Sequence, residues 1–92
     1  MHYTYLLLSS RDNRFYTGCT NDLKKRVLAH NAGQVPSTAS RAPLELIYYE
    51  ACLNRDDALR RERFLKTGKG KRFLRNRLAA FLAGLTNELE RH

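Results

Sequence analysis

The pattern of apolar and polar positions predicts a β-hairpin in the first part of the chain. Residues 3–9 and 14–20 form two short apolar runs rich in strand-forming side chains, and the polar segment 10–13 between them carries turn formers. Two such runs joined by a short turn favour antiparallel strands, in which alternate side chains point to opposite faces of the sheet.

This alternation sorts the side chains of the hairpin into two faces. Tyr3, Tyr5 and Leu7 fall on one face of the first strand. Tyr16 and Gly18 share a face of the second strand. Because glycine has no side chain, we expect another group to approach the sheet closely at Gly18.

A helix is predicted over residues 22–31, and Gly33 is well placed to end it. At about 100° per residue, the apolar side chains of this segment form one inward stripe. Arg26 and His30 lie one turn apart along the border of that stripe. Arg26 is therefore the basic residue of this helix that we expect to point back toward the sheet.

The rest of the pattern predicts one more strand and two more helices. Residues 34–43 have the composition of a loop, and the apolar run 44–52 is typical of a third strand. Asn54 is a suitable N-cap for a second helix. The segment 67–70, with two glycines, breaks the chain before a third helix, whose apolar residues continue at helical spacing to Leu85.

The distribution of charge adds a candidate partner. The chain has 17 Lys and Arg against 9 Asp and Glu, a net charge of +8, and the basic residues concentrate at 60–77 and 24–26. Excess charge can simply keep a domain soluble, but this clustering favours a phosphate backbone as partner, with affinity that falls as salt rises. The residues that we expect to contact nucleic acid are Gly18, Lys24, Lys25, Arg41, Lys66, Lys69 and Lys71.

Cysteine use and hydropathy bear on the compartment. Cys19 and Cys52 make neither a disulfide framework nor a zinc motif, so reduced thiols in a cytoplasmic protein are the simplest interpretation. No stretch approaches the roughly 20 apolar residues of a membrane helix, so we expect no membrane association. The length fits one domain over residues 1–92.

Glu62 is the most unusual position in the chain. It projects near the middle of the apolar stripe of the second helix, where a carboxylate is costly unless a positive group meets it. An ion pair with Arg26 or another arginine is one interpretation. The other is a single carboxylate ligand for a hard divalent cation, since Mg²⁺ often uses one or two protein carboxylates and keeps several waters.

The tyrosines and the histidine also have two interpretations. Tyr5 and Tyr16 can be core residues, because the reference pKa of tyrosine, about 10, makes it a poor base at neutral pH. They become useful if a cation stabilises the phenolate or if they orient water. His30 can be a hydrogen-bonded rim residue rather than a catalyst, and Arg26 can bridge to Asp22 or Glu62.

Taken together, four segments resemble the GIY-YIG endonuclease domain. They are YTYLLLSS, FYTGCTNDLKKRVLAH, PLELIYYE and ALRRERFLK, within residues 3–76. The resemblance is closer to the small stand-alone bacterial branch, akin to the N-terminal nuclease domain of the bacterial excinuclease. It implies an α+β fold with a three-stranded antiparallel sheet flanked by helices, and cleavage of phosphodiester bonds with one Mg²⁺ or Mn²⁺.

The resemblance also implies roles for individual residues. Glu62 corresponds to the metal ligand, and Arg26 to the group that offsets charge on a non-bridging phosphate oxygen. Tyr5 or Tyr16 activates or aligns the attacking water, and His30 orients the tyrosine or relays its proton. Which of the two tyrosines is the base stays open.

Three positions depart from the family pattern. Tyr3 stands where the GIY motif has glycine, and Asn76 matches a late family asparagine only loosely. Cys19 stands where some relatives have a lysine, so the role of that lysine is vacant or filled elsewhere. This vacancy supports an alternative function, a basic nucleic-acid-binding module of the same fold with little or no cleavage.

The expected partner is DNA, branched or single-stranded, in repair or recombination, with RNA as an alternative. No separate DNA-reading module is present in the sequence, which favours recognition by shape. A further alternative is that the C-terminal helix docks on a repair protein, in which case Leu85 and Leu89 would not lie in the core of the domain.

Overall fold

The computed structural model describes the backbone of residues 1–90 and the side chains of residues 1–86. Its strands are β1 (His2–Ser9), β2 (Phe15–Thr20) and β3 (Leu44–Cys52). Its helices are α1 (Leu23–Asn31), α2 (Arg55–Leu65), α3 (Gly68–Arg77) and α4 (Ala79–Glu90), with a short 3-10 turn at Pro36–Thr38. Within the described part of the chain, no helix combines the length and the apolar character needed to cross a membrane.

The three strands form one antiparallel sheet in the order β2-β1-β3. The predicted α+β architecture, a three-stranded antiparallel sheet flanked by helices, is therefore confirmed. In the central strand, Tyr5 lies between Gly18 of β2 and Tyr49 of β3. β2 is an edge strand, so groups from both faces of the sheet can meet around its free side.

The hairpin between β1 and β2 forms where the sequence predicts it. Asn13 adopts the left-handed conformation with φ 58°, which asparagine tolerates better than most residues. Its amide donates to the Ser9 carbonyl at 2.9 Å, and the Ser9 amide donates to the Arg14 carbonyl at 3.0 Å. These bonds close the turn and set the register that places Tyr5 opposite Gly18.

Each face of the sheet carries its own apolar cluster. Under α1, the buried residues are Tyr5, Leu7 and Leu44. On the opposite face, under α2 and α3, Leu6 packs with Leu65 and Leu74. The alternation predicted for β1 is therefore confirmed, because odd and even positions of the strand enter different clusters.

Helix α1 is fixed at both ends by specific hydrogen bonds. Asp22 is the N-cap, and its side chain accepts from the Lys25 amide at 3.1 Å. Gly33 follows the helix with φ 75°, which confirms its predicted role in ending it. The Asn31 side chain donates to the Leu44 carbonyl at 2.8 Å and accepts from the Leu44 amide at 2.7 Å, which ties α1 to the start of β3.

The prediction of one long third helix is wrong, because the chain turns at Leu78. Helix α3 ends at Arg77, and α4 begins at Ala79. Leu78 leaves helical geometry, with φ −108° and ψ 23°, and packs against the cluster around Leu65 and Leu74. Burial of this side chain redirects the chain although no Pro or Gly marks the break.

Helix α4 lies at the edge of the fold. The Phe81 side chain is 39% exposed, and Leu85 is only half-buried. Leu89 lies outside the residues whose side chains are described. The expectation that this helix docks on a partner stays a prediction.

Candidate active site

Tyr5 lies at the centre of the site, packed directly on the backbone of β2. Its side chain is 1% exposed. A Cβ at Gly18 would overlap Cζ and Oη of the Tyr5 ring, so only glycine leaves room for the ring. The predicted close approach at Gly18 is therefore made by Tyr5 of the protein itself, and contact between Gly18 and nucleic acid stays a prediction.

His30 holds the Tyr5 hydroxyl from α1. The imidazole is fully buried, with Nε2 at 2.8 Å from Tyr5 Oη and Nδ1 at 2.6 Å from Thr38 Oγ1. Burial, and secondarily the positive charge of Arg26, lowers the pKa of His30. The interpretation of His30 as a rim residue is wrong: it is a neutral interior group that cannot touch a substrate. Sequence reasoning missed Thr38, since it lies in a polar loop with no periodic signal.

Tyr16 is placed differently from Tyr5. It is half-buried, and its hydroxyl accepts from Ser37 Oγ at 3.5 Å. Its ring lies 4.9 Å from the His30 ring and 6.4 Å from the Tyr5 ring, measured between centroids. The structure therefore brings together the two tyrosines and the histidine that the sequence singled out, and it leaves the Tyr16 hydroxyl nearer to solvent.

Arg26 extends from α1 to the two phenols, as its position on the helix predicts. Interaction with the Tyr5 hydroxyl raises the pKa of Arg26. Its Nε is buried and has no hydrogen-bond partner within the described residues. A buried guanidinium nitrogen of this kind is an unsatisfied donor, and such donors are rare unless a ligand completes them.

The electrostatics of Tyr5 do not favour a phenolate. Burial raises the pKa of Tyr5, and the hydrogen-bonding contribution of Arg26 only partly opposes this. Arg26 alone therefore does not bring the Tyr5 phenol toward a working base. Tyr5 is better suited to holding position than to accepting a proton.

Glu62 lies on α2, on the other side of the edge strand. Its side chain is 18% exposed and forms an ion pair with Lys66, with Nζ and Oε2 3.5 Å apart. The expected arginine partner is thus replaced by a lysine one helical turn away. The carboxylate charge raises the pKa of Cys19 after the larger effect of burial. Lys66, the ion-pair partner of Glu62, lines a groove together with residues 15–17 of β2, which places the pair beside that strand.

The donor set around Glu62 is sparse. In residues 1–86, no group of three or more His, Cys, Asp or Glu side chains comes together to hold a metal ion. So few protein ligands around Glu62 do not suit a preformed zinc or calcium site. A half-buried carboxylate paired only loosely with a lysine does suit a hard cation that keeps several waters and takes substrate phosphate as another ligand.

A basic groove runs beside β2 and includes Tyr16. It has a volume of about 750 Å³, and its apolar floor contains Leu65 and Leu74. The polar and charged groups along it are Asp12, Asn13, Arg14, Tyr16, Thr17, Arg41, Lys66, Lys71 and Arg75. Three of the predicted nucleic-acid contacts, Arg41, Lys66 and Lys71, thus lie together. The sequence places Arg75 in the basic run 60–77 without naming it as a contact, although its spacing of four residues from Lys71 places both on one side of α3.

The other predicted contacts lie elsewhere. Lys24 and Lys25 are exposed on α1, and Lys69 is exposed at the start of α3. The structure does not gather these three lysines into the groove with Tyr16. They stay predictions for a flanking surface.

Arg41 lines the groove and also has internal hydrogen-bond partners, and its contact with nucleic acid stays a prediction. Its Nε donates to Asp12 Oδ2 at 2.6 Å, and its Nη2 donates to the carbonyls of Arg14 and Phe15 at 3.2 and 3.3 Å. The bond to Arg41 lowers the pKa of Asp12 to about 2. The guanidinium is therefore used in holding the hairpin turn.

Comparison with known proteins agrees with this geometry. The family model described as the GIY-YIG catalytic domain matches residues 1–78. A UPF0213 protein from Clostridium perfringens is 42% identical over 67 residues, which are 72% of this chain and 71% of that protein. A UPF0213 protein from Streptococcus pyogenes serotype M5 is 37% identical over 91 residues, 98% of this chain and 94% of that protein.

A solved structure is also similar. The solution NMR structure of a UPF0213 protein from Bacillus halodurans has a TM-score of 0.50 and 32% sequence identity, covering 79% of this chain and 80% of that one. The family match spans the sheet, α1, α2 and α3, which carry the tyrosines, Arg26, His30 and Glu62. The chain therefore belongs to the GIY-YIG catalytic domain family, a family of nucleases that typically depend on a divalent metal.

Proposed function

We propose that the protein is a divalent-metal-dependent endonuclease that hydrolyses phosphodiester bonds in DNA. The observation that carries the proposal is the meeting of three different groups around the β2 edge. Tyr16 lines the basic groove, Arg26 reaches the phenols from α1, and Glu62 pairs with Lys66, which lines the same groove from α2. Such a set can bind a phosphate, a cation and a water at once.

Tyr16 is the phenol that we assign to the attacking water. It lines the groove, whereas Tyr5 is 1% exposed and its pKa is raised by burial. A tyrosine hydroxyl can orient the attacking water only if the water can reach it. The acidity of the hydroxyl matters only when this condition is met. Tyr5 then acts as a positioning residue beneath Tyr16.

The hydrogen bonds of His30 support one orientation of the Tyr5 proton. Thr38 Oγ1 donates to the Val35 carbonyl at 3.5 Å, which leaves its lone pairs to accept from Nδ1–H of His30. The remaining imidazole nitrogen, Nε2, then accepts from the Tyr5 hydroxyl. This arrangement turns the oxygen lone pairs of Tyr5 toward Arg26 and fixes the guanidinium.

Arg26 supplies positive charge to the scissile phosphate. Its guanidinium is held beside Tyr5 and Tyr16, and the side chain also lines a cavity beside Cys19 and Arg55, where its outer N–H groups can donate to a non-bridging oxygen. Donors fixed in place before the reaction stabilise the charge that grows in the transition state.

Glu62 is the residue that would hold Mg²⁺ or Mn²⁺. When bound, such a cation polarises the phosphate and stabilises the leaving oxygen. Glu62 would contribute a hard oxygen ligand from the same face of α2 that Ala58 and Leu65, each 1% exposed, anchor in the core. This anchoring keeps the carboxylate in place while its ion-pair partner changes.

The groove beside Tyr16 is our proposed path for the nucleic-acid backbone. Its basic groups are Arg14, Arg41, Lys66, Lys71 and Arg75, and the surface lysines Lys24, Lys25 and Lys69 are proposed to flank it. Phosphates bound by such groups give affinity that falls with salt. A groove of this size favours recognition by shape, such as branched or single-stranded DNA in repair or recombination, with RNA as an alternative.

Cleavage by the purified protein tests the proposal. Bound metal is removed with EDTA, and Mg²⁺ or Mn²⁺ is then added back. Each fraction of the final purification column is assayed on single-stranded DNA, flaps, forks and junctions. We expect metal-dependent cleavage whose activity follows the protein peak. Cleavage activity that elutes apart from the protein peak, or no cleavage of any substrate, would contradict the proposal.

One observation favours the binding module as a second candidate. Burial raises the pKa of the Cys19 thiol, so the position where some relatives have a lysine carries no charge. Salt-sensitive binding without metal and without cleavage over the whole panel would support this function instead.

A further inference from the structure

Lys66 lies where the candidate metal ligand meets the basic groove. Its ammonium is 3.5 Å from the Glu62 carboxylate, and the same side chain lines the groove together with Tyr16. The side chain is 55% exposed, and within residues 1–86 its one ion pair is with Glu62. Lys66 can therefore turn from Glu62 into the groove without disturbing the core.

The two partners of Glu62 exclude each other. A carboxylate that binds a divalent cation no longer attracts an ammonium, and the cation repels an ammonium at ion-pair distance. The released lysine needs a new anion, and a phosphodiester bound beside Tyr16 is the nearest anion that the proposed function supplies. Lysine suits such a change because its charge sits on a flexible four-carbon stem.

We propose that Lys66 is a substrate-binding residue that couples the two ligands: it neutralises Glu62 in the free protein and contacts the bound phosphodiester once Glu62 has taken the cation. The inference rests on the proposed function and deepens it.

Two consequences distinguish this role from a static surface charge. Without nucleic acid, Lys66 competes with the cation for Glu62 and weakens its binding. With nucleic acid present, Lys66 has a second partner, so the cation and the nucleic acid strengthen each other. Such coupling is reciprocal by thermodynamic necessity.

The first experiment measures Mn²⁺ binding to the protein alone by calorimetry. Lys66→Met should bind Mn²⁺ about threefold more tightly than wild type, because the competing ammonium is gone. Lys71→Met is the matched control, since it removes a groove lysine that does not pair with Glu62, and it should bind Mn²⁺ like wild type. Equal affinities for Lys66→Met, Lys71→Met and wild type would overturn the proposal.

The second experiment measures the coupling with a fluorescent single-stranded oligonucleotide. It is done in the Tyr16→Phe background, with gels to verify that the oligonucleotide stays intact. Mn²⁺ should tighten oligonucleotide binding at least about fivefold. Lys66→Met should reduce this factor to near one, Lys66→Arg should retain most of it, and Lys71→Met should weaken binding while leaving the factor unchanged.

These readouts separate the two proposals. Coupling that survives in Lys66→Met overturns the role of Lys66, even if the wild-type protein is an active nuclease. Absence of cleavage by wild type, with coupling present and lost in Lys66→Met, overturns the nuclease function and leaves the role of Lys66 in binding supported.

Discussion

The hydroxyl of Tyr5 lies 2.8 Å from Nε2 of His30, and both side chains are buried between β1 and α1. This bond joins the central strand of the sheet to the helix that carries Arg26. It continues through Nδ1 of His30 to Thr38, so a loop, a helix and a strand share one polar network. The position of the candidate catalytic groups depends on this network.

Loss of His30 should destabilise the fold as well as the site. His30→Ala leaves a cavity and removes partners from the hydroxyls of Tyr5 and Thr38. We expect the free energy of unfolding to fall by about 3 kcal/mol in urea denaturation. Thr38→Val, which keeps the shape and removes one partner, should cost about 1–3 kcal/mol. A His30→Ala protein within about 0.5 kcal/mol of wild type would mean that the network contributes little.

The buried histidine predicts a specific pH dependence of stability. The native pKa of His30 lies below its ordinary value of 6.5. As the pH falls below 6.5, the imidazole of His30 is protonated in the unfolded chain but not in the native state. The free energy of unfolding therefore falls by at most about 1.4 kcal/mol per pH unit until the pH reaches the native pKa. Urea denaturation at several pH values between about 7.5 and 5 measures this slope.

His30→Gln provides the control for that slope. It removes the titrating ring, so its stability should change less between about pH 7.5 and 5 than that of wild type. Asp12 does not interfere with this measurement, because its native pKa is about 2. The stability that its ion pair contributes is fully present above pH 3.8 and is lost only as the pH falls through 2. Equal slopes for His30→Gln and wild type would show that another group titrates.

The contact between Gly18 and Tyr5 predicts a steric effect. In Gly18→Ala the new methyl group overlaps the Tyr5 ring, and we expect a loss of about 1–3 kcal/mol in unfolding free energy together with reduced cleavage. Gly68→Ala is the control, because a Cβ there meets nothing within 4 Å. A second substitution, Tyr5→Leu, should recover stability in Gly18→Ala but not cleavage. Additive losses in the double variant would contradict the direct contact.

Salt dependence of DNA binding separates the free basic groups of the groove from Arg41, whose charge is paired with Asp12. Lys71→Ala and Arg75→Ala should each reduce the slope of log affinity against log salt by about one, because each removes a phosphate contact. Arg41→Ala should lower thermal stability and leave the slope unchanged, since its guanidinium is used in bonds to Asp12 and the hairpin. A slope that falls equally for Arg41→Ala and Lys71→Ala would show that Arg41 contacts phosphate as well.

The local parts of the fold could be predicted from the sequence because local interactions determine them. The hairpin follows from period-two alternation and a turn closed by Asn13, and the end of α1 follows from Gly33. The break at Leu78 could not be predicted, since the apolar spacing continues through it and no breaker is present. It depends on the packing of Leu78 against the α2–α3 cluster, which is a tertiary effect.

The same distinction applies to the site. Glu62 stood out because a carboxylate interrupted an apolar stripe, and its pairing with Lys66 follows from a spacing of four residues on a helix. The bond between His30 and Thr38 joins a helix to a loop through side chains alone, and nothing in the composition of that loop indicates it. The difference between Tyr5 and Tyr16 also needed the structure, because both tyrosines occupy the same face of the hairpin.

The most direct test of the nuclease account is the single-turnover cleavage rate of Glu62→Gln in Mn²⁺, measured beside wild type on the best substrate of the panel. Gln keeps the size of the side chain and removes the negative charge that would hold the cation. The account predicts a rate lower by at least about 10²-fold, with a melting temperature that changes little. A variant that cuts at the wild-type rate would contradict it.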